Sequence, residues 1–348
     1  MQLLVKRYTK FLKLLYKKKL KKILILGCNS FAGAAFTDAC LKKDFQVVGI
    51  NRSEPTSKIF QPFLENPNIK NFTFIQANLN TDHEMILAAM DSFQPQYIVD
   101  FAGQGMVAES WDQPQQWYQT NIVSKSIIHR HLLDVNYLEF YLRISTPEVY
   151  GSSNNLIKET DSMNPSTPYA VSHMATDLSI QNFHNNFSFP ILIGRFANFY
   201  GPHQQLYRII PITISSILSG KKMNLHGGGS SIRAFIHSED VNNGIFKMIS
   251  RGVSGEVYHF SPQDFISIKD LVMKICHQMD AKFEKVVKVS DDRVGKDFAY
   301  LMDSSKARDK LQWEPEVQLE HGISSTIVWM TENYDKIKLL PSHYIHKE

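Results

Sequence analysis

The chain has 348 residues, 43% of them hydrophobic and 21% charged, which suits one large or two small globular domains with ample core. Nine Lys and Arg and no acid stand in residues 1–22, so the net charge of +4 leaves the remainder five charges negative, and nothing points to nucleic acid. Cys28, Cys40 and Cys276 form no CxxC pair, no apolar run approaches the roughly 18–20 residues of a membrane span, and the N-terminus lacks the features of a signal peptide; the expectation is a cytoplasmic protein without disulfides.

Residues 1–20 are a unit by composition. Leu4, Tyr8, Phe11, Leu12 and Leu15 recur at helical spacing, and Lys6, Arg7, Lys10, Lys13 and Lys17 to Lys19 fill the other positions. Such a basic amphipathic helix can lie on an anionic membrane surface, dock on a partner, or pack on its own domain.

Ile23 to Leu26 then read as a short buried strand, Gly27 to Gly33 as a tight turn, and Ala34 to Lys43 as a helix. That is the setting of a dinucleotide-binding loop, where small residues let backbone N–H groups approach a pyrophosphate. Gly27 and Gly33 have the spacing. Ser30 stands where a middle glycine is expected, with Phe31 and Ala32 after it. Gln46 to Ile50 is the second strand. Asn51, Arg52 and Ser53 follow where an NAD site usually has an acid, so Arg52 with Ser53 favours the 2′-phosphate of NADP, while Asn51 leaves the ribose of NAD open.

Phe72 to Ile75 is a third strand, with Asn78 and Leu79 placed to meet an adenine. Tyr97 to Phe101 is the fourth, and Ala102, Gly103 and Gln104 after it let a nucleotide pass close to the backbone. Trp111 to Leu133, with Asn121 inside, and Tyr169 to Phe187 read as long helices. Strand–helix alternation predicts an α/β fold with a parallel, doubly wound sheet. The buried strand Leu138 to Ile144 ends in Ser145-Thr146-Pro147-Glu148-Val149-Tyr150-Gly151, where open α/β sheets place their chemistry. Tyr169 and His173, four apart, share a helical face and can shuttle a proton in alcohol–ketone redox chemistry. A sixth strand, Ile191 to Gly194, leads into Arg195. Beyond it the pattern loosens, and Arg208, Arg233 and Arg293, if they converge, suit a diphosphate.

These pieces resemble the extended short-chain dehydrogenase/reductases, and within them the nucleotide-sugar 4,6-dehydratases acting on dTDP-glucose or GDP-mannose. The resemblance covers roughly residues 21–335. It rests on Gly27 and Gly33, on Ser145 to Gly151, on Pro168-Tyr169 with the position four later, and on Arg195, Asn198, Tyr200, Gly201 and Pro202. It continues through Tyr207 to Pro211, His226 to Arg233, Asp292 to Gly295, Leu311 to Pro315, and Gly322.

The resemblance implies a Rossmann dinucleotide-binding domain over 21–195 with a returning segment at about 234–262. A smaller α+β nucleotide-sugar domain would take 196–233 and 263–340. It implies NAD or NADP as cofactor, a nucleotide-diphosphate sugar as ligand, no metal, and a homodimer paired through the helices near 111–133 and 169–187. Thr146, Glu148, Tyr169 and His173 match catalytic positions. Glu148, Asn198, Arg208, Arg233 and Arg293 match sugar-nucleotide positions. Tyr169 would take the proton of the sugar 4-hydroxyl, Thr146 would hydrogen-bond that oxygen, and Glu148 would take the C5 proton before water leaves C6. An acid at Glu148 favours dehydration over 4-epimerisation. A 4-epimerase, a 4-keto reductase and a non-catalytic sugar-nucleotide binder remain the alternatives. Three positions depart from the pattern: His173 stands for a lysine, Pro147 for an aspartate, and Gly105-Met106 for a more polar pair.

Overall fold

The computed structural model describes residues 20–347 apart from 56, 293, 294 and 296. The helix expected over 1–20 therefore lies, but for its last residue, outside the described residues, and so does Arg293.

Seven parallel strands form the main sheet: Lys22–Leu26, Gln46–Asn51, Phe72–Gln76, Tyr97–Asp100, Phe140–Ser145, Ile191–Phe196 and Val257–Phe260. Most are apolar runs, as strands covered on both faces must be. Ile23 and Ile25 pack with Phe36 on one face, while Leu24 and Leu26 pack with Met90 and Ile128 on the other. Helices Phe31–Lys42 and Ser238–Arg251 pack together, and Ser124–Leu132 packs against both His83–Phe93 and Pro168–Phe187. The expected doubly wound α/β architecture is the one observed.

In space the strands run 257–260, 191–196, 140–145, 97–100, 22–26, 46–51, 72–76. Chain order reverses beside Lys22–Leu26, which opens a crevice at the C-terminal strand ends, where such sheets bind ligands. The expected long helix 111–133 is instead Pro114–Tyr118, a π-helical turn Gln119–Val123, and Ser124–Leu132. The turn buries Thr120 and Asn121, as π-bulges at functional sites often do.

A smaller unit sits over the crevice. Asn198–Tyr200, Ile232–His237 and Phe265–Ser267 make a three-stranded sheet, and Met223–His226 pairs with Val287–Ser290. Helices Ile209–Ser219, Ile268–Gln278 and Leu319–Glu332 surround an apolar cluster that includes Ile214, Leu271 and Ile323. Of the segment expected to return to the main sheet, helix Ser238–Arg251 and strand Val257–Phe260 do so. Strand Ile232–His237 pairs with Asn198–Tyr200 instead, so a boundary at 233/234 falls inside a strand. All three cysteines are free and buried. No described helix is long and apolar enough to cross a membrane, and no described cluster of His, Cys, Asp and Glu could hold a metal.

Candidate active site

The turn after the first strand is shaped by what a side chain would strike. Gly27 has φ +81°, and a Cβ there would stand 2.8 Å from the Ala102 backbone nitrogen. A Cβ on Gly33 would stand 2.2 Å from the Gly27 carbonyl oxygen. Both positions therefore require glycine. Ser30 does not: it is the N-cap of helix Phe31–Lys42, where its Oγ accepts from the Gly33 amide at 3.1 Å and donates to the Gly27 carbonyl at 2.8 Å. The first turn carries no acid, and Ser30, Phe31 and Ala32 line a cavity of ≈ 850 Å³. An uncrowded helix N-terminus of this kind fits a pyrophosphate.

Ala102, Gly103 and Gln104 line the same cavity. Asn121, turned inward by the π turn, accepts from the Gln104 amide at 2.8 Å, and its Nδ2 donates to the Gln104 carbonyl and to Ser172 Oγ. Asn51 and Asn78 serve local turns: Asn51 Nδ2 donates to the Ser53 carbonyl, and Asn78 Oδ1 accepts from the Asn80 amide. Leu79 is buried in the core.

The chemical groups converge at the end of strand Phe140–Ser145. Thr146 caps the 3₁₀ turn Pro147–Tyr150, Glu148 follows, and Tyr169 comes from the first turn of helix Pro168–Phe187, itself capped by Thr167. All three line the cavity with His173. Burial, and then the nearby Glu148 charge, raise the Tyr169 phenol well above its ordinary value; a hydrogen bond with Thr146 and the charges of Arg208 and Arg143 oppose this. Glu148 is raised from 4.5 to about 7, chiefly by burial, with Arg233 opposing. A carboxyl near neutrality can give and take a proton in one turnover.

Asn198, Arg208 and Arg233 line the same cavity. Tyr300, which sequence reasoning missed, donates to Asn198 Oδ1 at 3.2 Å and reaches Glu148 Oε1 at 3.5 Å. The Arg233 guanidinium lies 4.1 Å from the Tyr300 ring centre and donates to the carbonyls of Ile232, Asp297 and Phe298. Arg233 therefore braces this wall as well as charging it. Arg208, exposed at the start of helix Ile209–Ser219, makes no such backbone tie among the described residues.

Beneath Tyr169 lies a dry charge network that the sequence reading also missed. Lys125 Nζ stands 2.6 Å from Asp100 Oδ2 and Arg195 Nη2 3.0 Å from Asp177 Oδ2; Arg143 lies 3.6 Å from each carboxylate. All five side chains are at most 3% exposed. Arg143 Nη2 lies 2.8 Å from His173 Nδ1. The available signals were Arg143 and Asp100, single charges inside otherwise apolar strands.

The C-terminal segment crosses the expected adenosine side. The Lys347 carbonyl accepts from Arg52 Nη1 at 2.9 Å and Gln104 Nε2 at 2.7 Å, and Lys347 Nζ donates to Ser53 Oγ at 3.1 Å. His346 stacks on Trp117, and Tyr344 packs edge-on against Tyr207.

Residues 24–326 match the family model described as GDP-mannose 4,6 dehydratase. The chain is 26% identical over 343 residues to dTDP-glucose 4,6-dehydratase of Escherichia coli, covering 90% of this chain and 94% of that protein. It is 28% identical over 277 residues to the dTDP-D-glucose 4,6-dehydratase of Homo sapiens, covering 78% of each. Among solved structures, a dTDP-glucose 4,6-dehydratase from Streptomyces venezuelae with NAD bound superposes with a TM-score of 0.83 at 23% identity, over 90% of this chain and 98% of that one. A UDP-glucose 4-epimerase from Thermotoga maritima with UDP-glucose gives 0.81 at 24%, over 90% and 99%. These two likenesses concern the fold, which dehydratases and epimerases share.

Proposed function

The chain belongs to the GDP-mannose 4,6 dehydratase family, and from that premise we propose that it dehydrates a nucleotide-diphosphate hexose with a bound nicotinamide dinucleotide. The observation that carries this reading is Glu148, a carboxyl near neutrality in the same cavity as Thr146 and Tyr169. An epimerase needs only the pair that handles the 4-hydroxyl; dehydration also needs an acid–base for C5 and C6.

The dinucleotide, when bound, supplies a hydride acceptor that later returns the hydride. Gly27, Ser30, Phe31, Ala32 and Gly33 would hold its pyrophosphate, and Ala102, Gly103 and Gln104 would flank it. Tyr169 takes the proton of the sugar 4-hydroxyl while Thr146 hydrogen-bonds the same oxygen. The ketone at C4 acidifies C5, and Glu148 as carboxylate removes that proton. The same group, now a carboxylic acid, hands that proton to the C6 hydroxyl, which leaves as water. As the hydride goes back to C6, Glu148, reprotonated from solvent, gives C5 its proton, while Tyr169 releases the 4-hydroxyl proton to solvent. One residue thus does both duties, with Pro147 in the neighbouring place. Asn198, Arg208 and Arg233 would hold the nucleotide diphosphate, with Arg293 as a further candidate.

For the cofactor, NADP is the finer reading. Arg52 precedes Ser53 in the chain and donates to the Lys347 carbonyl, and Lys347 Nζ donates to Ser53 Oγ, a pair of cationic side chains that suits a 2′-phosphate, although the S. venezuelae structure carries NAD. The 1–20 segment as a membrane contact and a homodimer through the 111–133 and 169–187 helices remain proposals of the sequence.

Incubation with a panel of nucleotide hexoses, with NAD⁺ and NADP⁺ supplied separately, tests the reading by mass spectrometry. A product lighter by one water is expected, with the larger yield under NADP⁺. An unchanged mass with an epimer in the NMR spectrum would replace dehydration by epimerisation.

A further inference from the structure

Resting on the reading above, in which Tyr169 accepts a proton, we propose that Arg143 supplies the positive charge that stabilises the Tyr169 phenolate. It does so from behind His173, whose ring it fixes as the neutral Nε2–H tautomer facing the dinucleotide site. Arg143 is then a positioning residue: it acts through the two side chains that meet the ligands.

The tautomer follows from donor counting. A guanidinium has five N–H donors and no acceptor, so the 2.8 Å contact makes His173 Nδ1 the acceptor. The neutral ring then carries its hydrogen on Nε2. Burial pushes the imidazole well below its ordinary value, and the charges of Arg143 and Lys125 push it further. His173 therefore contributes a hydrogen-bond donor but no charge. Its ring lies 4.5 Å from the Tyr169 ring, one helical turn away.

The charge comes from the network. Lys125 is paired closely with Asp100 and Arg195 with Asp177, whereas Arg143 is shared at 3.6 Å between both carboxylates. While Lys125 keeps its proton, three cations face two carboxylates and one positive charge remains where water does not screen it; burial and the Arg143 charge bring Lys125 down to about 8, and above that Arg143 is what keeps the network from turning negative. Arg208 is the competing candidate for the same task. It is exposed at the cavity wall, and a bound diphosphate would neutralise it.

The ionisable groups around Tyr169 are Glu148, Tyr300 and Arg208 on the cavity side, His173 on its own helix and Arg143 from the strand. Those around Arg143 are Asp100, Lys125, His129, Tyr141, Asp177 and His173. With Arg143 removed, the rest of the network balances at zero.

The test is the titration of Tyr169 in the full-length protein carrying Arg208→Gln throughout, which takes the competing charge away. It is followed as the ultraviolet difference between each variant and the same variant carrying Tyr169→Phe. Arg143→Gln keeps a donor for His173 Nδ1 but removes the charge. It should move the Tyr169 transition up by about one pH unit or more, a tenfold loss of phenolate at a given pH. His173→Asn should leave that transition in place and weaken dinucleotide binding severalfold. The double variant R143Q/H173K returns a cation one residue away and should return the transition to its position in Arg208→Gln alone. An unmoved transition in Arg143→Gln, or a shift in His173→Asn as large as in Arg143→Gln, overturns the proposal. Should Arg143→Gln not fold, the double variant decides: a transition where Arg208→Gln alone has it supports the proposal and an upward shift overturns it. The titration needs no turnover. Failure to find a dehydrated product would therefore remove the dehydratase reading and leave this result standing.

Discussion

The two sides of Tyr169 handle charge in opposite ways. Beneath it, Asp100, Lys125, Arg143, Asp177 and Arg195 are locked against one another in a dry interior. Burial opposes the Asp100 charge, yet Lys125 and Arg143 outweigh it and hold the carboxyl below its ordinary value. On the cavity side, the Glu148 carboxyl has no cation partner of that closeness among the described residues. The carboxyl accepts from Tyr300 at 3.5 Å, and burial wins, lifting it to about 7. One wall holds the Asp100 carboxylate charged through the neutral range. The other has a group whose protonation changes there. A reaction that passes a proton from carbon to a leaving hydroxyl needs the second kind of wall. A phenol that must ionise while buried needs the first.

The largest expected effect breaks the variable wall. Glu148→Gln should keep nucleotide-sugar binding and partial oxidation at C4 but lower water loss by about 10²–10⁴-fold, the usual worth of positioned proton transfer. Single-turnover product analysis measures it, and undiminished dehydration would remove Glu148 from the reaction. Next comes the constant wall. Asp177→Ala leaves Arg195 and Arg143 without their shared carboxylate and Ser145 Oγ without its acceptor. It should cost about 3–5 kcal/mol in denaturant unfolding, because an uncompensated buried charge remains. A loss below 1 kcal/mol would mean the network is wetter than its burial indicates.

A smaller effect tests the sign of the Glu148 shift. Its folded value lies above the ordinary 4.5, so the folded state holds the proton more tightly. That contribution to stability is full below about 4.5 and lost as pH rises through about 7. Going from pH 4.5 to pH 8, the wild type should lose stability relative to Glu148→Gln by on the order of 2 kcal/mol. Parallel stability curves for the two proteins would show that Glu148 is not held protonated. The smallest effect is at Tyr300. Tyr300→Phe removes the donor to Asn198 and Glu148 and should cost about 1 kcal/mol, read as a several-fold rise in KM.

Much of the turn after the first strand was legible because its requirements are local. A buried run such as Ile23 to Leu26, a glycine whose Cβ would strike backbone, and a serine that caps a helix three residues before Gly33 all lie within one short stretch. The substrate half was legible only as motifs. Nothing in the spacing of Glu148, Asn198, Arg233 and Tyr300 says that they meet, because contacts separated by 67 to 152 residues depend on how the smaller unit closes over the crevice. Asn78 and Leu79 show the reverse error of distance: a position at a strand end does not say which way a side chain turns, and one went to a turn and the other to the core.

By itself the sequence determined the parallel α/β architecture, the place of the glycine turn after the first strand and the chemical types at the end of the fifth strand. Period and turn chemistry act over a few residues, which is why these could be read directly. Tertiary structure alone decided the protonation of the site. Whether Glu148 sits near 7, and whether His173 is neutral with its hydrogen on Nε2, depends on burial and on partners such as Arg143. That arginine stands thirty residues from His173 in the chain and 2.8 Å from it in space.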